Sequence, residues 1–234
     1  MLRLLVARAP DDDGRVRIDG AELRHLHVRR LGPGDRVVLL AGDGTEREAV
    51  LEGVGAREAV ARVVASTTPA RESPLELVLA PALLKGAKMD LVVEKATELG
   101  VARIAPVVTR HAVARGAHVE RWRRVAAAAA KQSGRTRVPA VDAPASLAER
   151  VAEPWPGLRL VPWERETATR WDALPTAVPA VVVLVGPEGG LADDEVAAVQ
   201  AAGFTSVTLG PRVLRAETAG IVVVAHCQRR WGDG

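Results

Sequence analysis

Tyrosine is absent from this 234-residue chain and phenylalanine occurs once, so five tryptophans supply nearly all of its aromatic surface. That scarcity argues against a module that reads RNA through a platform of stacked Tyr and Phe rings. Cysteine occurs once, as Cys227. A single thiol excludes an intramolecular disulfide and a cysteine-based zinc cluster, and it fits a reducing compartment, with the cytoplasm as the expected location. Long apolar runs are missing too: AVVVLV (180–185) and IVVVA (221–225) fall far short of the roughly 20 residues that a membrane-spanning helix needs. The stretch MLRLLVARAPDDDG has neither the sustained apolar core nor the small-residue cleavage pattern of a secretory signal, so none is expected. A large excess of one charge is also lacking. Lys and Arg total 32 against 29 Asp and Glu, a net charge of +3, so any polyanion-binding surface must come from uneven distribution. No metal is expected, because His25 and His27 are too few for a site that needs three or four convergent ligands.

What is present is the balance of a globular protein, with 48% hydrophobic and 26% charged residues. The length suffices for one large or two small domains, each with its own core. Residues 1–70 read as short strands at nearly even spacing: 35–40, the turn AGDGT, 46–51, the turn VGARE, then 59–65. The expectation is a small antiparallel barrel or meander. TTPARESP (67–74), with two prolines and several small polar residues, is the candidate linker.

From Leu75 the pattern alternates strand-like and helix-like runs: LELVLAPAL, KMDLVVEKATELG, ARIAPVVT, HVERWRRVAAAAAKQSG, LRLVPWE, TATRWDAL, AVVVLVGPEGG, LADDEVAAVQAAG, SVTLG and the last apolar run. Repeated βα units predict an α/β domain over 75–234 with a mostly parallel sheet covered by helices. Met89, Val92, Val93, Ala96 and Leu99 recur at helical spacing. GIVVVAHCQ is β-branched, but its place in the alternation predicts a buried helix.

Two loops carry the chemistry. VVVLVGPEGGLADDEV (181–196) is a strand, a glycine-rich turn and a helix whose first turn holds Asp193, Asp194 and Glu195. Those carboxylates suit the positive end of a helix dipole and would repel a phosphate placed there. The spacing is neither a dinucleotide fingerprint nor a P-loop. Gly186, Gly189 and Gly190 would let the backbone approach a compact adenosine-type ligand, although a plain strand-to-helix turn uses glycine equally well. LGPRVLRAETA (209–219) again follows a strand and opens a helix that Glu217 or Thr218 can cap. In a parallel sheet both loops sit at the carboxyl ends of strands, so they can share one pocket.

The stretches KGAKMDLVVEKATELGV (85–101), ERWRRVAAAAAKQSGR (120–135), VGPEGGLADDEV and LGPRVLRAETA together resemble the ribosomal RNA small subunit methyltransferase E family, within the SPOUT superfamily. ELRHLHVRRLGPGD (22–35) is similar to the start of that family's small PUA-like RNA-binding domain, here 1–70. Ala216 stands where the family often has threonine, and VPWERE (161–166) is only loosely family-like. The resemblance implies S-adenosylmethionine as cofactor, uridine N3 in 16S rRNA or the small ribosomal subunit as target, a C-terminal trefoil knot and a homodimer. Cofactor contacts then fall on Gly186, Pro187, Glu188, Gly189, Gly190, Leu209, Gly210, Leu214, Arg215 and Ala219. Arg215 is the candidate for opposing charge on the uracil or fixing the phosphate, and Glu188 or Glu217 for orienting it.

RNA contacts are expected at Arg24, His25, Arg29 and Arg30 in the first domain, with His27 beside them. Arg124, Lys131 and Arg135 supply a second basic stretch, together with Arg121, Arg123 and Arg137. Trp122 and Trp163 read as core or interface residues rather than base-stacking ones. Two other functions stay open at this level: a methyltransferase for another RNA or another atom, and a non-catalytic RNA-binding assembly factor.

Overall fold

The computed structural model describes residues 1–7, 9–112 and 118–234. The chain divides into two compact units, one made of 1–72 with 130–138 and the other of 73–129 with 139–234.

In the first unit five strands form one sheet: β1 (Leu2–Leu5), β2 (Arg15–Ile18), β3 (Arg36–Leu40), β4 (Glu46–Val54) and β5 (Ala59–Thr67), in the order β1-β3-β4-β5-β2. The sheet is mixed rather than purely antiparallel, because β1 pairs with β3 in parallel. A parallel pair needs a long connection, which β2 and helix α1 (Gly20–Val28) supply. Alternation along the strands buries Leu4, Val16, Ile18, Val37, Leu39, Ala49, Leu51, Ala59 and Ala61, and α1 adds Leu23 and Leu26 to that core. Within the TTPARESP segment, Glu72 is tied into this unit: its carboxylate accepts from Arg135 Nη2 (2.7 Å) and from the backbone of Thr136 (2.8 Å) and Arg137 (3.0 Å).

The second unit holds six parallel strands: β6 (Glu76–Pro81), β7 (Arg103–Ile104), β9 (Ala140–Val141), β11 (Leu158–Pro162), β12 (Ala180–Val185) and β13 (Thr205–Val207). Their order is β13-β11-β12-β6-β7-β9. Every residue of β12 is buried, as expected of a strand with helices on both faces. ARIAPVVT breaks at Pro106: Arg103–Ile104 joins the main sheet, while β8 (Val107–Val108) pairs separately with β10 (Ala145–Ser146). Proline has no N–H to give a ladder.

Helix α2 (Ala87–Glu98) buries Met89, Val92, Val93 and Ala96, the stripe that the 3.6-residue period marks out. Helix α3 spans Val119–Ser133. Helix α4 (Leu147–Ala152) starts on a capping box, with Ser146 Oγ accepting from Glu149 N (3.2 Å) and Glu149 Oε2 accepting from Ser146 N (2.7 Å). Helices α5 (Asp193–Ala201) and α6 (Ala216–Trp231) follow the two glycine-bearing loops, so GIVVVAHCQ is helical. TATRWDAL is not a helix: it forms a single 3-10 turn at Trp171–Ala173. Pro175 disfavours helical geometry at Leu174, and Trp171 is drawn toward the sheet by its Nε1–H bond to the Thr208 carbonyl (3.0 Å).

A candidate active site at the ends of three strands

Strands β11, β12 and β13 are neighbours, and all three end on one side of the sheet. The segments leaving them, 162–164, 185–191 and 208–216 with Ala219, line a cavity of about 490 Å³. This is the crevice outside the carboxyl ends of strands where α/β sheets bind ligands, and its volume falls in the usual range for a small-molecule site. Gly186, Pro187, Glu188, Gly189, Gly190, Leu209, Gly210, Leu214, Arg215 and Ala219 all meet there. Thr208 and Arg212 line the same cavity, as do Pro162, Trp163 and Glu164 of VPWERE, a stretch the sequence left unassigned apart from Trp163 as a core or interface residue. The signal was available, because LRLVPWE also ends a parallel strand and its exit had to face the crevice.

The glycines have distinct reasons to be glycine. Gly190 closes a turn with its N–H on the Pro187 carbonyl (3.0 Å) at φ +72°, and Gly210 sits at φ +111°. Both are left-handed conformations that L side chains rarely adopt. Gly189 instead answers to space: a Cβ there would lie 3.1 Å from Cβ of His111. His111 Nδ1 is 3.1 Å from the Gly190 carbonyl, the Arg110 backbone N–H reaches Glu195 Oε1 (2.8 Å), and the Arg110 guanidinium pairs with Asp194 (2.5 and 2.8 Å). That pairing, against an opposing effect of burial, holds the Asp194 carboxyl below its ordinary range. The carboxylates at the start of α5 thus tie residues 110–111 to the glycine turn as well as meeting the helix dipole.

Arg215 is exposed at the cavity rim and is the N-cap residue of α6. The Arg215 side chain makes no capping hydrogen bond, and among the described residues neither Glu217 nor Thr218 takes the capping role the sequence offered them. Glu217 is instead buried at 8% exposure and lies off the cavity lining, its Oε2 at 3.5 Å from Lys88 Nζ. Glu188 lines the cavity and accepts from the same ammonium at 3.0 Å. Burial alone would raise the Glu188 carboxyl, but the Lys88 bond and charge together with backbone N–H donors outweigh it and hold the group below the usual carboxylate range. Both acidic candidates are therefore engaged by Lys88, and the Arg215 guanidinium has no ion pair among the described residues.

The basic residues separate by burial. Arg24, His25, His27, Arg29 and Arg30 are exposed along and just after α1. Arg124 is exposed, with its Nε on the Glu120 carbonyl (3.2 Å). Arg135 is only 6% exposed and spends its guanidinium on Glu72, and Lys131 is largely buried against Glu22 at 2.7 Å. These two are withdrawn from the expected RNA-facing set, since meeting a phosphate would break a partly buried ion pair. Trp122 is in the core at 4% exposure. Among the described residues no group of three or more His, Cys, Asp or Glu could hold a metal ion, and no helix is long and apolar enough to cross a membrane.

Residues 71–228 match the model of an RNA methyltransferase domain, and residues 18–64 match that of an RNA methyltransferase PUA domain. A ribosomal RNA small subunit methyltransferase E from Mycobacterium bovis is 37% identical over 92% of this chain and 86% of its own length. The chain belongs to the ribosomal RNA small subunit methyltransferase E family. The Synechocystis member is 34% identical across 96% of this chain and 76% of the relative. A crystal structure of the Neisseria gonorrhoeae member bound to S-adenosyl methionine superposes with a TM-score of 0.92 at 32% identity, covering 100% of this chain and 99% of that one. The methyltransferase E fold therefore extends over both units, and the second is a SPOUT-class domain with a mostly parallel sheet.

Proposed function

We propose that this chain transfers the methyl group of S-adenosylmethionine to N3 of a specific uridine in 16S ribosomal RNA. The observation that carries the reading is the cavity at the ends of β11, β12 and β13, where the two glycine-bearing loops converge. Its residues fit the cofactor. Glycines at 186, 189, 190 and 210 leave backbone amides and carbonyls open to an adenosine group, and Val185, Leu191, Leu209 and Leu214 supply apolar wall. The cofactor, when bound, supplies an electrophilic sulfonium methyl.

The chain's own work follows from the substrate. Uridine N3 carries a proton that must leave before its lone pair can take the methyl, and negative charge develops on the uracil as it goes. Arg215, at the rim and without an ion pair among the described residues, opposes that charge or holds the adjoining phosphate. Glu188 contributes a wall and an acceptor whose orientation Lys88 fixes. N3 lies on the pairing edge, so the target uridine is unpaired or drawn from its stack. The exposed arginines of α1 and Arg124 then hold RNA phosphates. The trefoil knot and the homodimer implied by the family resemblance belong to the same reading, as do the RNA-binding role of the first unit and the cytoplasmic location that the single cysteine suggests.

Calorimetry with S-adenosylmethionine, followed by mass mapping of methylated nucleosides in 16S rRNA from a strain lacking the gene, tests the proposal. Heat of binding and loss of one N3-methyluridine are expected. Absence of cofactor heat would favour an RNA-binding assembly factor, and a missing mark elsewhere would favour another target.

A further inference from the structure

We propose that Lys88 is a positioning residue of the cofactor pocket, acting through Glu188 and Glu217. The inference rests on the methyltransferase reading. Lys88 lies in the first turn of α2 and does not line the cavity. Its ammonium is 3.0 Å from Glu188 Oε1 in the glycine turn and 3.5 Å from Glu217 Oε2 in the first turn of α6. Those two segments both contribute to the lining of one pocket, each following a different strand, and among the described residues Lys88 is the cation that both carboxylates share.

The two ends of this bridge differ in kind. Glu188 holds a hydrogen bond to Lys88, and the attraction runs both ways: that bond, ahead of opposing burial, raises the Lys88 ammonium above its ordinary value. Glu217 is buried, and among the described residues its Oε2 has no hydrogen-bond partner. A buried carboxylate oxygen without a donor is costly unless a counter-charge lies close by, and Lys88 is that charge. Two carboxylates brought this close to one nitrogen would repel each other in its absence. Removing the ammonium would drive the glycine turn away from the start of α6 and widen the pocket where Arg215 leads into Ala216. Lys88 therefore sets the width of the site without touching what binds there.

The test compares wild type with Lys88→Met, Lys88→Arg and the double variant Lys88→Met with Glu217→Gln. Each is measured for S-adenosylmethionine affinity by calorimetry, for turnover at saturating cofactor and for melting temperature. Lys88→Met is expected to weaken cofactor binding about tenfold or more, the scale for losing a hydrogen bond to a charged group, with a smaller change in saturated turnover. Arginine, which keeps the charge, should restore most of the affinity. Glu217→Gln should recover part of it in the methionine background, because the uncompensated carboxylate is gone. Wild-type affinity in Lys88→Met overturns the proposal, even if its melting temperature falls. So does a loss of turnover with affinity intact, which would put Lys88 on the substrate, or a failure of arginine to rescue. Lack of cofactor binding by wild type would instead sink the methyltransferase reading itself.

Discussion

At the scale of single residues the cavity rim offers the sharpest tests. Arg215 is exposed and unpaired among the described residues, while both carboxylates that could have restrained it are taken by Lys88. A guanidinium left free in this way is available to substrate. Arg215→Ala is expected to lower turnover about 100-fold, the scale for losing one preorganised donor to developing charge, while cofactor affinity and the melting curve stay near wild type. Lysine should rescue only in part, since it keeps the charge and loses the planar fork. A large affinity loss with normal saturated turnover would assign Arg215 to the cofactor instead. Gly189 and Gly210 make a second pair of tests, because their reasons differ. At Gly210 the space that a Cβ would enter is open to 4 Å, but φ is +111°, so Gly210→Ala should cost about 1–3 kcal/mol through backbone strain. At Gly189 the backbone is ordinary and His111 is in the way. Gly189→Ala should therefore disturb the approach of His111 to Gly190, and because the close contact is with the His111 Cβ, replacing His111 by glycine should relieve it. Equal melting losses with and without His111 would refute that account.

The elements show where sequence patterns were sufficient. The stripe of Met89, Val92, Val93 and Ala96 defined α2 because helix period and burial coincide. The unbroken apolar run of β12 defined a central strand because helices cover both its faces. Other elements were passed over although a local signal existed. Ser146 and Glu149 spell a capping box, and α4 follows directly; Ser146→Ala should lower stability by about 1 kcal/mol, read by denaturant midpoint. The parallel pairing of β1 with β3 had no such signal, since alternation reports which face is buried and not which neighbour is chosen. The candidate site divides in the same way. Its glycine loops were legible as local motifs, whereas the bridge from Lys88 to Glu188 and Glu217 joins three segments that only the fold brings together. Glu72 belongs with that bridge, because its partners Arg135 to Arg137 lie far along the chain. Burial would raise the Glu72 carboxyl, but Arg135 and the backbone donors more than reverse it, so its folded value lies below the ordinary one. A depressed carboxyl adds stability above its unfolded pKa and loses it as pH falls through the folded value. Glu72→Gln should therefore lower the melting temperature near neutrality and flatten its decline in mild acid. An unchanged slope would show that the pair is not coupled to folding.

For the whole molecule, the division into two units predicts separable functions. All cavity-lining residues fall between 162 and 219, in the second unit, whereas the exposed arginines of α1 belong to the first. Reversing charge at Arg24 and Arg29 together should leave S-adenosylmethionine affinity unchanged. RNA binding should weaken, with a dependence on log salt that becomes shallower by about 0.7–0.9 for each phosphate no longer neutralised. A variant with the wild-type salt slope would remove α1 from the RNA surface.

The strand order has a further consequence, for the making of the protein rather than its chemistry. Strand β6 takes β7 on one side soon after both are synthesised, but its other edge waits for β12, so that Glu76 meets Ala180 only after most of the second unit has emerged. Pairing of such sequence-distant parallel strands is slow, because the loop must close before any pairing rewards it. Until then β6 presents an open edge, the kind of surface on which chains aggregate. The pocket, which needs β11, β12, β13 and the start of α6 in place, is thus among the last features to form. A ligand that binds only there selects finished molecules from the folding population, and adding it during refolding should raise the soluble yield.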